Sequence, residues 1–300
     1  MSVHHQAVVM IASKSGRLGN RLFQAAHFMA NAMRLNYRLL NPSLGEYAHL
    51  FEGSLRDPFC GYPQKWRESD SEFASQCREF LYHGAYLLGL TARMGIVPGV
   101  RSIDIRHFDE TEEGEVDLNG SFFAEVLESE KLILPLGWKF SDHLGISQYR
   151  KEIIRYFTPV ESVRNPVEAI VCRARSKGDL LVGVHIRQED YRNWKNGIHF
   201  YETEQYARWM RELADGSPGK RMVFLVCASG ALDETLFRDL LVVRGPGFPA
   251  GDLHALSLCD KIIGPPSTFS TWASYHGGVS LRVLRDSSDS LSSEKTRNKG

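Results

Sequence analysis

The sequence predicts an α/β chain of two domains, each built on a parallel sheet. Three observations carry that reading. The 300 residues are about twice the length of a typical single domain. The chain opens on a strand, a glycine loop and a helix, in that order. From residue 161 onward, short runs of valine, isoleucine and leucine alternate with helical segments, which is the pattern of a doubly wound sheet.

Element by element, Ala7 to Ala12 reads as a buried strand ending in the turn Ser13-Lys14-Ser15-Gly16. After Gly19-Asn20, apolar residues recur at helical spacing (Leu22, Phe23, Ala26, Met29, Ala30, Met33) as far as Asn36. Residues 41 to 115 mix glycine, proline and aromatics and yield no topology, although Glu79 to Met94 fits one helix. Asp109 to Asp117 is acidic and reads as a solvated loop, because like charges repel. Val116 to Phe123 reads as a strand entering a turn, and Ser147 to Phe157 as a helix stopped by Thr158-Pro159.

The proline-flanked segment Pro159 to Pro166 is the expected domain boundary. It separates an N-terminal, acceptor-side domain (1–160) from a C-terminal nucleotide-binding domain (161–285), with a disordered tail over 286–300. In the second domain Val167 to Arg175 reads as helix, and Asp179 to Ile186 as a strand buried on both faces. Helix Tyr201 to Leu213, strand Arg221 to Ala228, helix Leu232 to Val243 and strand Lys261 to Gly264 follow.

The formal net charge is zero, so no global field draws the chain onto nucleic acid or an anionic membrane. No apolar run reaches the roughly 18 residues of a membrane span, and the first residues lack the marks of a signal peptide. A cytoplasmic protein without an integral membrane segment is expected. The five cysteines are odd in number and scattered, which suits reduced packing residues better than disulfides or a zinc site, and no metal is expected.

Ligands of parallel sheets gather beyond the carboxyl ends of strands, and three such ends carry unusual residues. The loop Gly16-Arg17-Leu18-Gly19-Asn20-Arg21 offers close backbone approach, a helix N-terminus and a guanidinium; it equally suits an ordinary turn. The segment His185-Ile186-Arg187-Gln188-Glu189-Asp190-Tyr191 places His185 and Arg187 on one face of a strand end, where an arginine can hold a diphosphate bidentately. Asp190 either fixes that guanidinium or binds a hydroxyl, and a plain arginine–aspartate pair capping the strand is the alternative. The third end, Pro265 to Ala273, delays the helix with two prolines and then places Ser267, Thr268 and Phe269 at its start, a second phosphate-type cradle.

In this order the segments resemble the GDP-fucose-dependent fucosyltransferases, closest to the bacterial α1,2-fucosyltransferases and the protein O-fucosyltransferase-like relatives. Gly16, Leu18, Gly19, Asn20, Phe23 and Gln24 fall in register with the family's opening loop; His185, Arg187, Asp190 and Tyr191 with its second motif; and Asp252, Leu253, Ser257, Cys259, Ser267, Thr268, Phe269, Ser270 and Trp272 with its third. The resemblance implies a GT-B fold, two Rossmann-like domains with a cleft between them, and metal-independent transfer with inversion.

It implies further that Arg187 is the diphosphate arginine, that Ser267 and Thr268 hold phosphate oxygens, and that Arg17 and Asn20 lie near the diphosphate and sugar. His185 and Asp252 join that donor-binding set, while Glu189 and Asp190 are the nearest carboxylates for general-base work beside Arg187. Two departures stand out. The family's second arginine and glycine are here Gln188 and Glu189, and its Ser-Asp-Asp turn is replaced by Cys227-Ala228-Ser229-Gly230.

The expected activity is transfer of a sugar, L-fucose, from a GDP-sugar to a glycan acceptor, with no prosthetic group. A GT-B transferase using another nucleotide sugar, and a homologue that binds nucleotide or glycan without turnover, stay open beside it.

Overall fold

The computed structural model describes residues 6–64, 71–95, 97–105, 115–228, 230 and 232–291. The acidic residues 109–114, Ser229 and residues 292–300 lie outside this set. The chain divides into two compact units, residues 1–160 and 161–300.

In the first unit β1 (Val8–Met10), β2 (Arg38–Leu40), β3 (Val100–Asp104) and β5 (Leu132–Leu136) form an all-parallel sheet in the order β2-β1-β5-β3. Helix α1 (Leu18–Leu35) ends at Asn36, whose left-handed conformation (φ 55°) lets its N–H close on the Ala32 carbonyl. Helix α2 (Ser71–Ala92) is longer than the periodicity suggested, and its Ala85 joins Leu134 and Leu136 in a small core. A second, two-stranded pairing joins β4 (Val116–Asp117) to β6 (Phe140–Ser141).

Two expectations are corrected in this unit. Ser121 to Phe123 begins helix α3 (Ser121–Ser129) rather than a turn, because Phe123 and Val126, three residues apart, bury one face. The helix expected over 147–157 is two, α4 (His143–Gln148) and α5 (Arg150–Tyr156), joined at Tyr149. Asp142 starts the first of them. Its fully buried carboxylate accepts the Gly145 amide at 2.7 Å, Asn119 at 2.9 Å and Asn31 at 3.1 Å. Burial alone would raise its pKa; these donors, with Arg34, outweigh burial and hold it below the usual carboxylate range.

The second unit holds α6 (Glu161–Arg175), β7 (Leu180–Ile186), α7 (Thr203–Asp215), β8 (Met222–Ala228), β9 (Val242–Arg244), α8 (Pro249–Ser257), β10 (Lys261–Gly264), α9 (Thr268–Gly277) and β11 (Ser280–Val283). Among the described residues its sheet has five strands, all parallel, in the order β11-β10-β7-β8-β9. Val182, Val184 and Ile186 pack from one face of β7 into a core with Tyr206, Trp209 and Met210 of α7. On the other face Gly183 admits Leu256 and Cys259, and a Cβ there would stand 2.7 Å from the leucine. Both faces are covered, which is why the strand reads as one apolar run.

Three further readings change here. Residues 161 to 166 are not a linker, since α6 starts at Glu161 and carries Pro166 inside it. Leu232 to Val243 is not a helix. A short 3-10 turn (Glu234–Phe237) capped by Asp233 gives way to β9, where β-branched Val242 and Val243 pair with Phe224 and Leu225. The tail is placed as far as Leu291: Trp209 donates to the Asp289 carbonyl, Leu291 N–H donates to Glu212, and Leu291 is buried in the α7 core.

His254 on α8 is buried, and neither ring nitrogen has a hydrogen-bond partner among the described residues. Glu168 at 3.9 Å is beyond hydrogen-bond reach. Burial, reinforced by Arg164, lowers the ring's pKa to about 4. The unfolded chain therefore takes up this proton first as pH falls below about 6.5, and the stability linked to His254 is lost between there and about 4. His254→Leu should remove about one proton, roughly 1.4 kcal/mol per pH unit, from the slope of unfolding free energy between pH 6 and 4.5. Urea titrations at fixed pH values measure it, and an unchanged slope would show that the ring is protonated in the fold.

Candidate functional site

In the second unit the chain runs from β7 outward to β8 and β9, then returns to lay β10 on the opposite side of β7. The switch point of the sheet lies between β7 and β10, where a crevice opens in doubly wound folds. The two polar segments singled out in this unit leave the sheet there, His185 to Tyr191 from β7 and Pro265 to Phe269 from β10.

Arg187 follows the last residue of β7 and is pinned by Asp190, with Nε donating to Oδ1 at 3.0 Å and Nη2 to Oδ2 at 2.6 Å. This two-point pairing takes one edge of the guanidinium and leaves Nη1 directed at Ser267 Oγ, 3.5 Å away. The group lies 4.9 Å over the Tyr191 ring, and the Tyr191 hydroxyl donates to the Pro266 carbonyl. Burial works against the charge, but Asp190 more than offsets it and holds the guanidinium pKa above its ordinary value.

Ser267 caps α9 by accepting the Phe269 amide at 3.2 Å. The start of α9, with Thr268 next in line, thus faces the same spot as Arg187, and helix N-termini favour anions. Phe269 packs on His185, ring centroids 5.0 Å apart. His185 is buried and its Nδ1 lacks a hydrogen-bond partner among the described residues. Burial, then the nearby Arg187 charge, depress its pKa to about 3, so the ring is neutral at physiological pH.

Asp252 sits in the first turn of α8, beside the carboxyl ends of β8 and β9. Its Oδ1 accepts the Gly247 amide at 2.8 Å, and a Cβ on Gly245 would lie 3.0 Å from that oxygen and 2.6 Å from Cys227 Sγ. Burial raises the Asp252 pKa to about 6. Gln188 turns into the scaffold, donating to the Tyr201 carbonyl at 3.0 Å, and Glu189 is exposed. Tyr191 and Arg244 were missing from the expected set. Tyr191 was visible within its motif, whereas Arg244 bears on Asp252 only through the pairing of β9.

The third segment belongs to the first unit. Gly16 adopts φ +65°, and a Cβ there would strike the Asn20 side chain at 2.2 Å. Arg17 is exposed at the N-cap of α1, which begins at Leu18, so Gly19 and Asn20 belong to the first helical turn rather than to the loop. The buried Leu18 draws the helix start forward, and the Arg17 carbonyl accepts the Arg21 amide. Arg21 then ties the loop down through the Gly16 and Ser43 carbonyls and Glu46.

Among the described residues no group of three or more His, Cys, Asp or Glu is arranged to hold a metal ion, and no helix is long and apolar enough to cross a membrane.

No family model matches the chain. A galactoside α-(1,2)-fucosyltransferase 1 of Oryctolagus cuniculus is 27% identical over 165 residues, covering 48% of this chain and 41% of the relative, less than half its length. Among solved structures, a variant of FUT1 from Arabidopsis thaliana in complex with GDP superposes with a TM-score of 0.60 at 15% identity, covering 94% of this chain and 71% of that one. POFUT1 in complex with GDP gives 0.53 at 12% identity, covering 95% and 98%. These likenesses establish the GT-B-type α/β fold.

Proposed function

We propose that this chain, which shares the fold of the fucosyltransferase superfamily and is related in sequence to one of its members, transfers L-fucose from GDP-fucose to a carbohydrate hydroxyl. One observation carries the reading: the guanidinium of Arg187, oriented by Asp190, and the N-terminus of α9 converge at the switch point of the sheet. A departing nucleoside diphosphate gathers negative charge there, and fixed donors stabilise it without reorganising. With that charge supplied by Arg187, the reaction proceeds without a metal and by in-line displacement, which inverts the anomeric carbon.

Ser267 and Thr268 hold phosphate oxygens in this reading, and His185 and Phe269 floor the site. In the first unit Gly16, Arg17, Gly19 and Asn20 are the proposed sugar-nucleotide contacts, with the Asn20 side chain filling the space beside Gly16 and Gly19 buried in the first turn of α1. Both Asp190 oxygens are committed to Arg187, so Asp190 is a positioning residue and Glu189 is the remaining carboxylate of the segment for general-base work. GDP and the GDP-fucose of related crystal structures, together with the galactoside named for the sequence relative, support the donor and the acceptor class.

Calorimetric titration with GDP, GDP-fucose, GDP-mannose and UDP tests the donor. Tight binding of the guanosine nucleotides alone is expected. Preference for UDP would favour the second reading, a transferase of another nucleotide sugar, which rests on Gln188 being turned into the scaffold where relatives carry a second arginine. Binding without turnover on any acceptor would favour a non-catalytic homologue.

Asp252 gives a test of its own. Its folded pKa, about 6, lies above the ordinary 3.8, so the stability linked to it is present at low pH and lost as pH rises through about 6. Asp252→Asn should therefore stabilise the protein at pH 8, by at most about 3 kcal/mol, while weakening nucleotide binding. A variant that binds GDP unchanged would remove Asp252 from the donor site.

A further inference from the structure

The ladder between β7 and β10 ends at Val184 and Ile263. Beyond it β7 continues beside β8, His185 against Cys227 and Ile186 against Ala228, while Gly264 pairs outward with Val283 of β11. Gly264 keeps the two exits close, since a Cβ there would stand 3.0 Å from the His185 Cβ and 3.1 Å from its carbonyl oxygen. Past that point Arg187 and Ser267 are carried by separate loops. Their direct contact, Nη1 to Oγ at 3.5 Å, is at the limit of a hydrogen bond and is too weak to set their spacing.

We propose that Tyr191 is the positioning residue that sets it, spanning the crevice so that the guanidinium and the start of α9 stand ready for a diphosphate; the role rests on the donor reading for the diphosphate alone, not for its base or sugar. The Tyr191 hydroxyl donates to the carbonyl of Pro266, the residue before the α9 cap. Its buried ring carries the Arg187 guanidinium 4.9 Å from its centre. One side chain thus touches Arg187 with its ring and the β10–α9 turn with its tip. Burial raises the phenol pKa, so the group keeps the proton that it donates. Two successive prolines stiffen the turn, and fixing the Pro266 carbonyl fixes Ser267 next to it.

The strut is itself braced. Tyr191 stacks on Trp194, ring centroids 4.9 Å apart and planes 29° from parallel. Lys195 (φ 49°), Asn196 (φ 56°) and Gly197 (φ 74°) then follow in left-handed backbone. That turn brings Lys195 Nζ to 5.0 Å from the indole ring and His199 to 5.8 Å. Left-handed backbone is costly for residues with a Cβ and persists where the surroundings over-determine it. Donors held in place before the ligand arrives need no reordering when it binds or when charge develops.

Calorimetric titration with inorganic pyrophosphate, GDP and UDP tests the role. Tyr191→Phe keeps the ring and its stack and removes the bond, so it should weaken pyrophosphate and GDP alike by about fivefold, the size of one lost hydrogen bond. Trp194→Ala should act in the same direction, and Trp194→Phe, which restores a stacking ring, should recover most of the affinity. A merely structural contribution would lower the thermal midpoint and leave the two sides of the crevice independent. Positioning couples them, so Tyr191→Phe should cost less on top of Ser267→Ala than in the wild type. Unchanged binding by Tyr191→Phe and Trp194→Ala, or an undiminished loss in the Ser267→Ala background, overturns the proposal and leaves the GDP donor standing. Binding of pyrophosphate and UDP without GDP, still weakened by Tyr191→Phe, would sink that donor and uphold the positioning role. A wild type that binds no diphosphate overturns both.

Discussion

Arg187→Ala is expected to lower turnover of the correct GDP-sugar by roughly a hundredfold to a thousandfold, the usual consequence of removing one fixed donor from a developing anion. Nucleotide binding should fall with it, because the lost charge is also the one that meets the ground-state diphosphate. The substitution leaves the Asp190 carboxylate facing the phosphates, so repulsion adds to lost attraction. Arg187→Lys separates the two effects. It keeps the charge but cannot occupy both Asp190 oxygens while reaching toward Ser267, so its affinity should recover more than its turnover. Asp190→Asn, with the guanidinium intact but less firmly oriented, should lower kcat more than it raises KM. Initial rates and calorimetry on the three variants decide the matter, and a fully active Arg187→Ala would displace the donor site from the β7–β10 crevice.

That crevice was legible because its signals are local. A strand buried on both faces shows as the unbroken run from Leu180 to Ile186, and an abrupt polar cluster after it marks the strand end. Ser267 announced itself as a cap by standing between two prolines and an apolar helix, and it accepts the Phe269 amide as a cap does. The strand order, which brings the β7 and β10 ends side by side, depends on crossovers that no local pattern encodes.

Other parts were illegible for the same physical reason. Between residues 41 and 64 the backbone is held by distant partners. Arg78, buried on α2, donates to the carbonyls of Ser54 and Asp57, more than twenty residues earlier in the chain. A buried arginine held only by tertiary contacts looks like a surface residue in a sequence. The stretch Leu232 to Val243 misled because a short apolar run fits either period, and the pairing of Val242 and Val243 with β8 decided it. The polar tail after Asp286 suggested disorder, and one apolar residue, Leu291, reaching the α7 core was too little to read as structure.

Gly277→Ala is expected to destabilise the second unit by about 3 kcal/mol, the upper range for forcing volume into a packed contact. Helix propensity argues the other way, since alanine in place of a helical glycine ordinarily stabilises by about 1 kcal/mol. Space decides between them. A Cβ at Gly277 would stand 2.0 Å from the carbonyl oxygen of Ser257, the last residue of α8, and 2.8 Å from its carbon. Those atoms are backbone, so no rotamer change relieves the clash and the ends of α8 and α9 must part. Gly219→Ala is the comparison: there φ is +81° and no atom lies within 4 Å of the new Cβ, so only conformational strain of about 1 kcal/mol remains. Chemical denaturation of both variants should therefore show the larger loss at the glycine with the ordinary backbone. Equal losses would mean that the α8–α9 contact yields, and the start of α9, which places Ser267 beside Arg187, would then be less firmly fixed than the donor site requires.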